Sequence, residues 1–256
     1  MPPFRRRRPI KYRRPVRRRR PNYRKRVISK KRASFKRGLR QSLRGFRGQP
    51  FPKRLFTNFT YTEETSLNAL DATGANVLNY RLNSLFDPKF AVGGIQPRYF
   101  DTLCNADNTC APYRNYIVYA AKLTVTFNAY TVDTKEFGYV GLHVRNATSD
   151  GPVAKTWDNI SQIPDTKMKA ISAQNNGSSK NTRTISVFRR MKGYVANKDL
   201  RDNENMSATY DANPTTTVMG DIFAIPTGSS SNLRLTVLVK IKYYAMLYNK
   251  TVPAES

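Results

Sequence analysis

The sequence predicts an all-β jelly-roll sandwich of about eight antiparallel strands behind a disordered, arginine-rich N-terminal arm. Two observations predict the sandwich. Beyond residue 54 apolar residues recur with a period of two, and stretches rich in Asn, Gly, Ser and Thr separate those segments. A third predicts the arm. The first 54 residues hold 24 Arg and Lys and no Asp or Glu, and the first acid is Glu63. The chain of 256 residues carries a formal net charge of +28. Residues 55–256 hold 21 basic and 17 acidic residues, so they account for only +4 of it.

The arm, residues 1–54, is too self-repelling and too poor in apolar surface to form a core. Pro2, Pro3, Pro9, Pro15 and Pro21 oppose both helix and sheet ladder there. Its cations come in clusters: Arg5, Arg6, Arg7 and Arg8; Lys11, Arg13 and Arg14; Arg17, Arg18, Arg19 and Arg20; Arg24, Lys25 and Arg26; Lys30, Lys31 and Arg32. Lys36, Arg37, Arg40, Arg44 and Arg47 follow. All are candidate nucleic-acid-binding residues, because a guanidinium forks onto phosphate and stacks on bases. Tyr12, Tyr23, Phe35 and Phe46 are interleaved as base-stacking candidates, which suits a flexible single strand. Short Lys/Arg runs also serve as nuclear import signals. Within 36–47, Leu39, Leu43 and Phe46 share one helical face, which predicts a segment that orders on nucleic acid or on an assembly's inner face. Gly38 and Gly45 oppose that helix.

Residues 55–256 suit one domain with a core of ordinary size. The first strand is predicted from Leu55, Thr57, Phe59 and Tyr61, which alternate with polar residues. Residues 77–82 follow. The next strand places Ile117, Tyr119, Ala121, Leu123, Val125, Phe127 and Ala129 on one face. In 137–146 the buried set is Val140, Leu142 and Val144. Residues 168–173, 183–188 and 218–225 are further strands. The last runs through Leu233, Leu235, Val237, Val239, Ile241, Tyr243, Ala245 and Leu247. Turns are expected at 150–152, 175–179 and 227–231. An immunoglobulin-type sandwich fits less well, because the domain is large for one and lacks a Cys…Trp…Cys spacing; Trp157, the single tryptophan, is expected in a loop.

Cys104 and Cys110 are expected as reduced thiols in a loop, a loop disulfide being the alternative. Two cysteines and one histidine, His143, argue against a zinc site, and no cofactor is implied. The arginines at the N-terminus replace the apolar run of a signal peptide, and no stretch reaches the roughly 18 apolar residues of a membrane span. The Asn-x-Ser/Thr triplets at Asn58, Asn146, Asn159, Asn176, Asn205 and Asn249 therefore read as chance in an Asn- and Thr-rich chain.

No active site assembles from the sequence, and the protein is expected not to be an enzyme. His143 falls on the strand face opposite Val140, Leu142 and Val144, the position of a surface or interface residue. No nucleophile elbow or Gly-rich phosphate loop accompanies it. Glu63 and Glu64 are expected as strand-end neighbours, and Asp199, Asp202 and Glu204 lie in a polar loop.

Three segments carry a family resemblance: Tyr80-Arg81-Leu82-Asn83-Ser84-Leu85-Phe86-Asp87-Pro88; Gly94-Ile95-Gln96-Pro97-Arg98-Tyr99-Phe100-Asp101; and Tyr113-Arg114-Asn115-Tyr116 with the strand to Phe127. In order and spacing they resemble capsid proteins of circular Rep-encoding single-stranded DNA viruses, the circoviruses and their relatives. The motif covers about 50 residues and is loose. The resemblance implies a viral jelly roll that self-assembles into the smallest icosahedral (T=1) shell of about 60 copies. It implies an arm facing inward onto a circular single-stranded DNA genome and bearing the nuclear localisation signal. Import receptors and a host cell-surface receptor would be further partners, and virion and host nucleus the locations. With about 60 arms of 24 cations, the interior would hold on the order of 1,400 positive charges, the scale of a small single-stranded genome. A coat protein of a small single-stranded RNA virus fits the same estimate. A cellular basic nucleic-acid-binding protein fits less well, because the domain is nearly neutral.

Overall fold

The computed structural model describes residues 51–69, 75–90, 95–105, 111–129, 137–153, 155–172, 181–194, 199–200, 203–227 and 233–250. The described elements lie in the unit Lys53–Ser256. They are nine strands: β1 (Leu55–Ala69), β2 (Asn76–Arg81), β3 (Tyr113–Ala129), β4 (Phe137–Asn146), β5 (Lys167–Ser172), β6 (Thr182–Arg190), β7 (Ser207–Thr209), β8 (Val218–Pro226) and β9 (Leu233–Lys250). Two helical turns, α1 (Phe100–Leu103) and α2 (Trp157–Ser161), lie between strands.

The topology is that of one long hairpin folded over on itself. The tip is the antiparallel pair β4–β5, and outside it nest β3–β6, β2–β8 and β1–β9, all antiparallel. Successive nested pairs lie in alternate sheets. Wrapping then joins β3 to β9 and β4 to β8. The result is two sheets, β1-β9-β3-β6 and β2-β8-β4-β5, with short β7 extending the edge of β3 beyond the end of β6. This strand order is a jelly roll, the expected fold class.

Alternation explains the layering. Phe59, Tyr61 and Leu67 of β1, Leu123, Val125 and Phe127 of β3, and the whole set Leu233 to Leu247 on β9 point into one core between the sheets. Burial of this face is the main favourable term, while the outer face of the first sheet stays largely open to water and includes the exposed Phe56, Phe188 and Leu238.

Four expectations needed correction. The register of β3 shifts at a bulge between Val118 and Ala120, so Tyr119 leaves the inner face. Its ring instead meets Phe56 on the outside, and Tyr116 and Val118 take the core positions upstream of the bulge. Glu63 and Glu64 are not at a strand end, because β1 continues through them to Ala69. Trp157 starts the helical turn α2 rather than lying in a loop. His143 is not a surface residue: it is 5 % exposed.

The last two corrections share a cause. The segment from Ala147 to Asp165, including α2, lies over the outer face of the second sheet. Ile160 of α2 packs there with Ala75, Phe223 and Ile225 in a second, smaller apolar cluster. β8 is consequently buried on both faces from Val218 to Ile225. Gly141 on β4 makes room for this layer; a Cβ there would lie against the Phe223 ring and 2.6 Å from the Lys167 carbonyl oxygen.

Candidate functional site

Every sequence-predicted nucleic-acid-binding residue, from Arg5 to Arg47, lies outside the described residues, as do Tyr12, Tyr23, Phe35, Phe46, the 36–47 segment and Cys110. The described structure shows where the chain that carries them joins the sandwich. β1 begins at Leu55, opposite Leu247 of β9, and is hydrogen-bonded to it along its full length.

The motif segment from Tyr80 to Pro88 forms a stapled turn at the end of β2. The Arg81 amide donates to the Pro88 carbonyl at 2.6 Å, and the Phe90 amide to the Asn79 carbonyl at 3.0 Å. The Arg81 guanidinium pairs with the Asp87 carboxylate and lies over the Phe90 ring, 4.6 Å from its centroid. Lys89 pairs with Glu63 of β1, and the hydroxyls of Tyr61 and Tyr80 donate to the same carboxylate at 2.8 and 2.9 Å. Burial pushes the Glu63 carboxyl up, but the Lys89 ammonium and the two tyrosine hydroxyls outweigh it and hold its pKa below the ordinary value. Burial and then contact with Glu63 push the hydroxyls of both Tyr61 and Tyr80 well above the ordinary tyrosine range. At neutral pH Glu63 is therefore a carboxylate and Tyr61 and Tyr80 are neutral phenols that donate to it.

Deeper in the turn, Asn83 is fully buried. Its side-chain amide donates to the Thr216 carbonyl at 2.7 Å, and its oxygen accepts from the Val218 amide at 2.9 Å. It thus ties the turn to the start of β8. Ser84 donates to the Asn213 side chain at 2.6 Å and also caps the Asp87 amide at 3.2 Å. The hydroxyls of Tyr116 and Tyr243 donate to the carbonyls of Ala212 and Arg81, each at 2.8 Å. These residues brace a junction between the sheets, and their chemistry is structural. Cys104, just after α1, is a buried thiol that burial pushes up to about 12, so it is neutral and inert at physiological pH.

On the outer face of the second sheet, Asp221 is fully buried between two neighbours. Arg145 Nε donates to its carboxylate at 2.6 Å, while His143 Nδ1 lies 3.5 Å from the same oxygen. The rest of the Arg145 guanidinium donates to the carbonyls of Ala147 and Ser149 and so holds the covering segment in place. Among the described residues His143 Nδ1 has no hydrogen-bond partner of its own. Among the described residues no group of three His, Cys, Asp or Glu side chains could hold a metal ion. Sequence reasoning missed this pair because it treated the outer sheet face as open to water.

No family model and no curated protein matches this chain. Solved structures similar to it include the BFDV capsid protein 60-mer, at 13% identity and a TM-score of 0.40 over 80% of this chain and 100% of that one. Desmodium yellow mottle tymovirus gives 15% identity and a TM-score of 0.36 over 81% and 96%. Cocksfoot mottle virus gives 7% identity and 0.41 over 78% and 98%.

Proposed function

We propose that this protein is a viral capsid subunit. It self-assembles into a small icosahedral shell and packages a circular single-stranded DNA genome through its N-terminal arm, which also directs nuclear import. It is a structural protein and not an enzyme. One observation carries the reading: an arm of 24 cations and no acid precedes a nearly neutral jelly roll. Such an arm needs a polyanion, and its affinity comes from release of condensed counterions, without need of base sequence. The domain supplies what a shell subunit needs, two rigid sheets with a braced junction. The Tyr80–Pro88 segment, part of the circovirus-like motif, supports DNA over RNA as cargo.

Electron microscopy of the full-length protein after nuclease treatment tests this. Uniform closed shells holding protected single-stranded DNA are expected. Protected RNA would replace the DNA reading with that of an RNA virus coat. Small dispersed particles with digested nucleic acid would overturn the capsid reading.

A further inference from the structure

The outer face of the β1-β9-β3-β6 sheet carries charge that the capsid fold does not require. Register places its side chains in rows across the sheet. One row reads Arg190, Ala120, Tyr244, Asn58; the next Phe188, Lys122, Lys242, Thr60; the third Ser186, Thr124, Lys240, Thr62. Four cations thus occupy three successive rows. Lys122 and Lys242 stand directly opposite each other on paired strands, an arrangement that costs stability unless an anion lies over it. None of Lys122, Lys240, Lys242 or Arg190 has a carboxylate partner among the described residues. The strands of this face present one acid, Glu64, in the fourth row on the edge strand β1.

Two rings sit among the cations. Phe188 is 48 % exposed although a strand position on a polar face does not call for a phenyl group. It meets Tyr244 edge-on with centroids 6.0 Å apart, and the Lys242 ammonium lies 5.6 Å above the Tyr244 ring. Around them lie hydroxyls of Thr60, Thr62, Thr124 and Ser186, which can donate to phosphate oxygens. Rows repeat about every 7 Å along a strand, comparable with the phosphate step of an extended single strand.

We propose that this face is a second, structured binding surface for single-stranded nucleic acid. Lys122, Lys240, Lys242 and Arg190 meet phosphates, and Phe188 and Tyr244 stack with bases. The inference deepens the packaging reading and rests on it. It adds a fixed platform on the domain to the cations of the arm.

The test uses the full-length protein, freed of nucleic acid in high salt, with oligodeoxythymidylate as probe. Ultraviolet crosslinking followed by peptide mapping is expected to mark Phe188 or Tyr244 as well as the arm. The variant Lys122→Gln/Lys240→Gln/Lys242→Gln, whose changes are all on the solvated face, is expected to fold normally. It should reduce the slope of log affinity against log salt by about 2, at about 0.7 per lost phosphate contact. Crosslinks confined to residues 1–54 with an unchanged slope would overturn the platform and leave the arm's packaging role standing. Absence of any salt-dependent binding would overturn both. An unchanged slope with altered particle size would assign the face to a second copy of the chain, and so refute the proposal.

Discussion

Replacing Asn83 with alanine should destabilise the domain far more than the loss of one polar side chain suggests. Asn83 is fully buried, and its amide holds two backbone groups, the buried Val218 amide and the carbonyl of half-buried Thr216. In Asn83→Ala the Thr216 carbonyl and the Val218 amide are left without that partner. The buried Val218 amide so orphaned costs about 1–3 kcal/mol, and the half-buried Thr216 carbonyl adds less. For a domain of this size 1 kcal/mol lowers Tm by about 2–4 °C, so even the lower limit predicts a fall of about 2–4 °C. The assay is thermal unfolding followed by fluorescence of Trp157, the single tryptophan, with circular dichroism as a second probe. Asn83→Asp keeps the acceptor for Val218 but sets a carboxylate oxygen against the Thr216 carbonyl, so it should not rescue. A fall below about 1 °C in the alanine variant would refute the reasoning, since it would mean that both groups find new partners at no cost.

Four further outcomes are expected. Gly141→Ala should cost about 1–3 kcal/mol, because a Cβ there overpacks against Phe223 and the Lys167 carbonyl, and an unchanged Tm would contradict it. The pKa of Glu63 is lowered by folding, so its contribution is present above the unfolded carboxylate pKa and is lost as pH falls through the folded value; the Tm gap between wild type and Glu63→Gln should therefore shrink on acidification. In a Cys110→Ser background, Cys104 should resist thiol reagents at pH 8 until the protein is denatured, and fast native labelling would refute its burial. Deleting residues 1–47 should abolish nucleic-acid retention and leave a β domain with cooperative melting, and loss of folding would contradict a boundary near Leu55.

The long strands were legible because one core face imposes a strict period of two. β9 alternates without interruption from Leu233 to Leu247 and folds as a single strand. Reading failed where that premise failed. The bulge after Val118 changes parity inside β3 without any glycine or proline to mark it. Glu63 looked like a strand end because a carboxylate pair does not normally sit mid-strand; Lys89 and Tyr80 from beyond β1, with Tyr61 of β1 itself, make it tolerable. His143 was misplaced because the layer over it comes from the chain that follows β4, and sequence alternation carries no information on what lies above a face. The four-cation platform was invisible for a related reason. Its members come from β3, β6 and β9, and only register brings them together.

The nesting of the strands also sets an order of events. β1 and β9, whose pairing runs from Leu55–Leu247 to Ala69–Leu233, are the first and last strands to be synthesised. The arm therefore emerges from the ribosome before any partner of the strand that anchors it exists. The first sheet can close only when nearly the whole domain has been made, a high-contact-order topology that folds slowly. Through that interval β1, the strand that follows the arm in the chain, is still unpaired. Synthesis of the arm and completion of the subunit are thus separated in time by the topology itself.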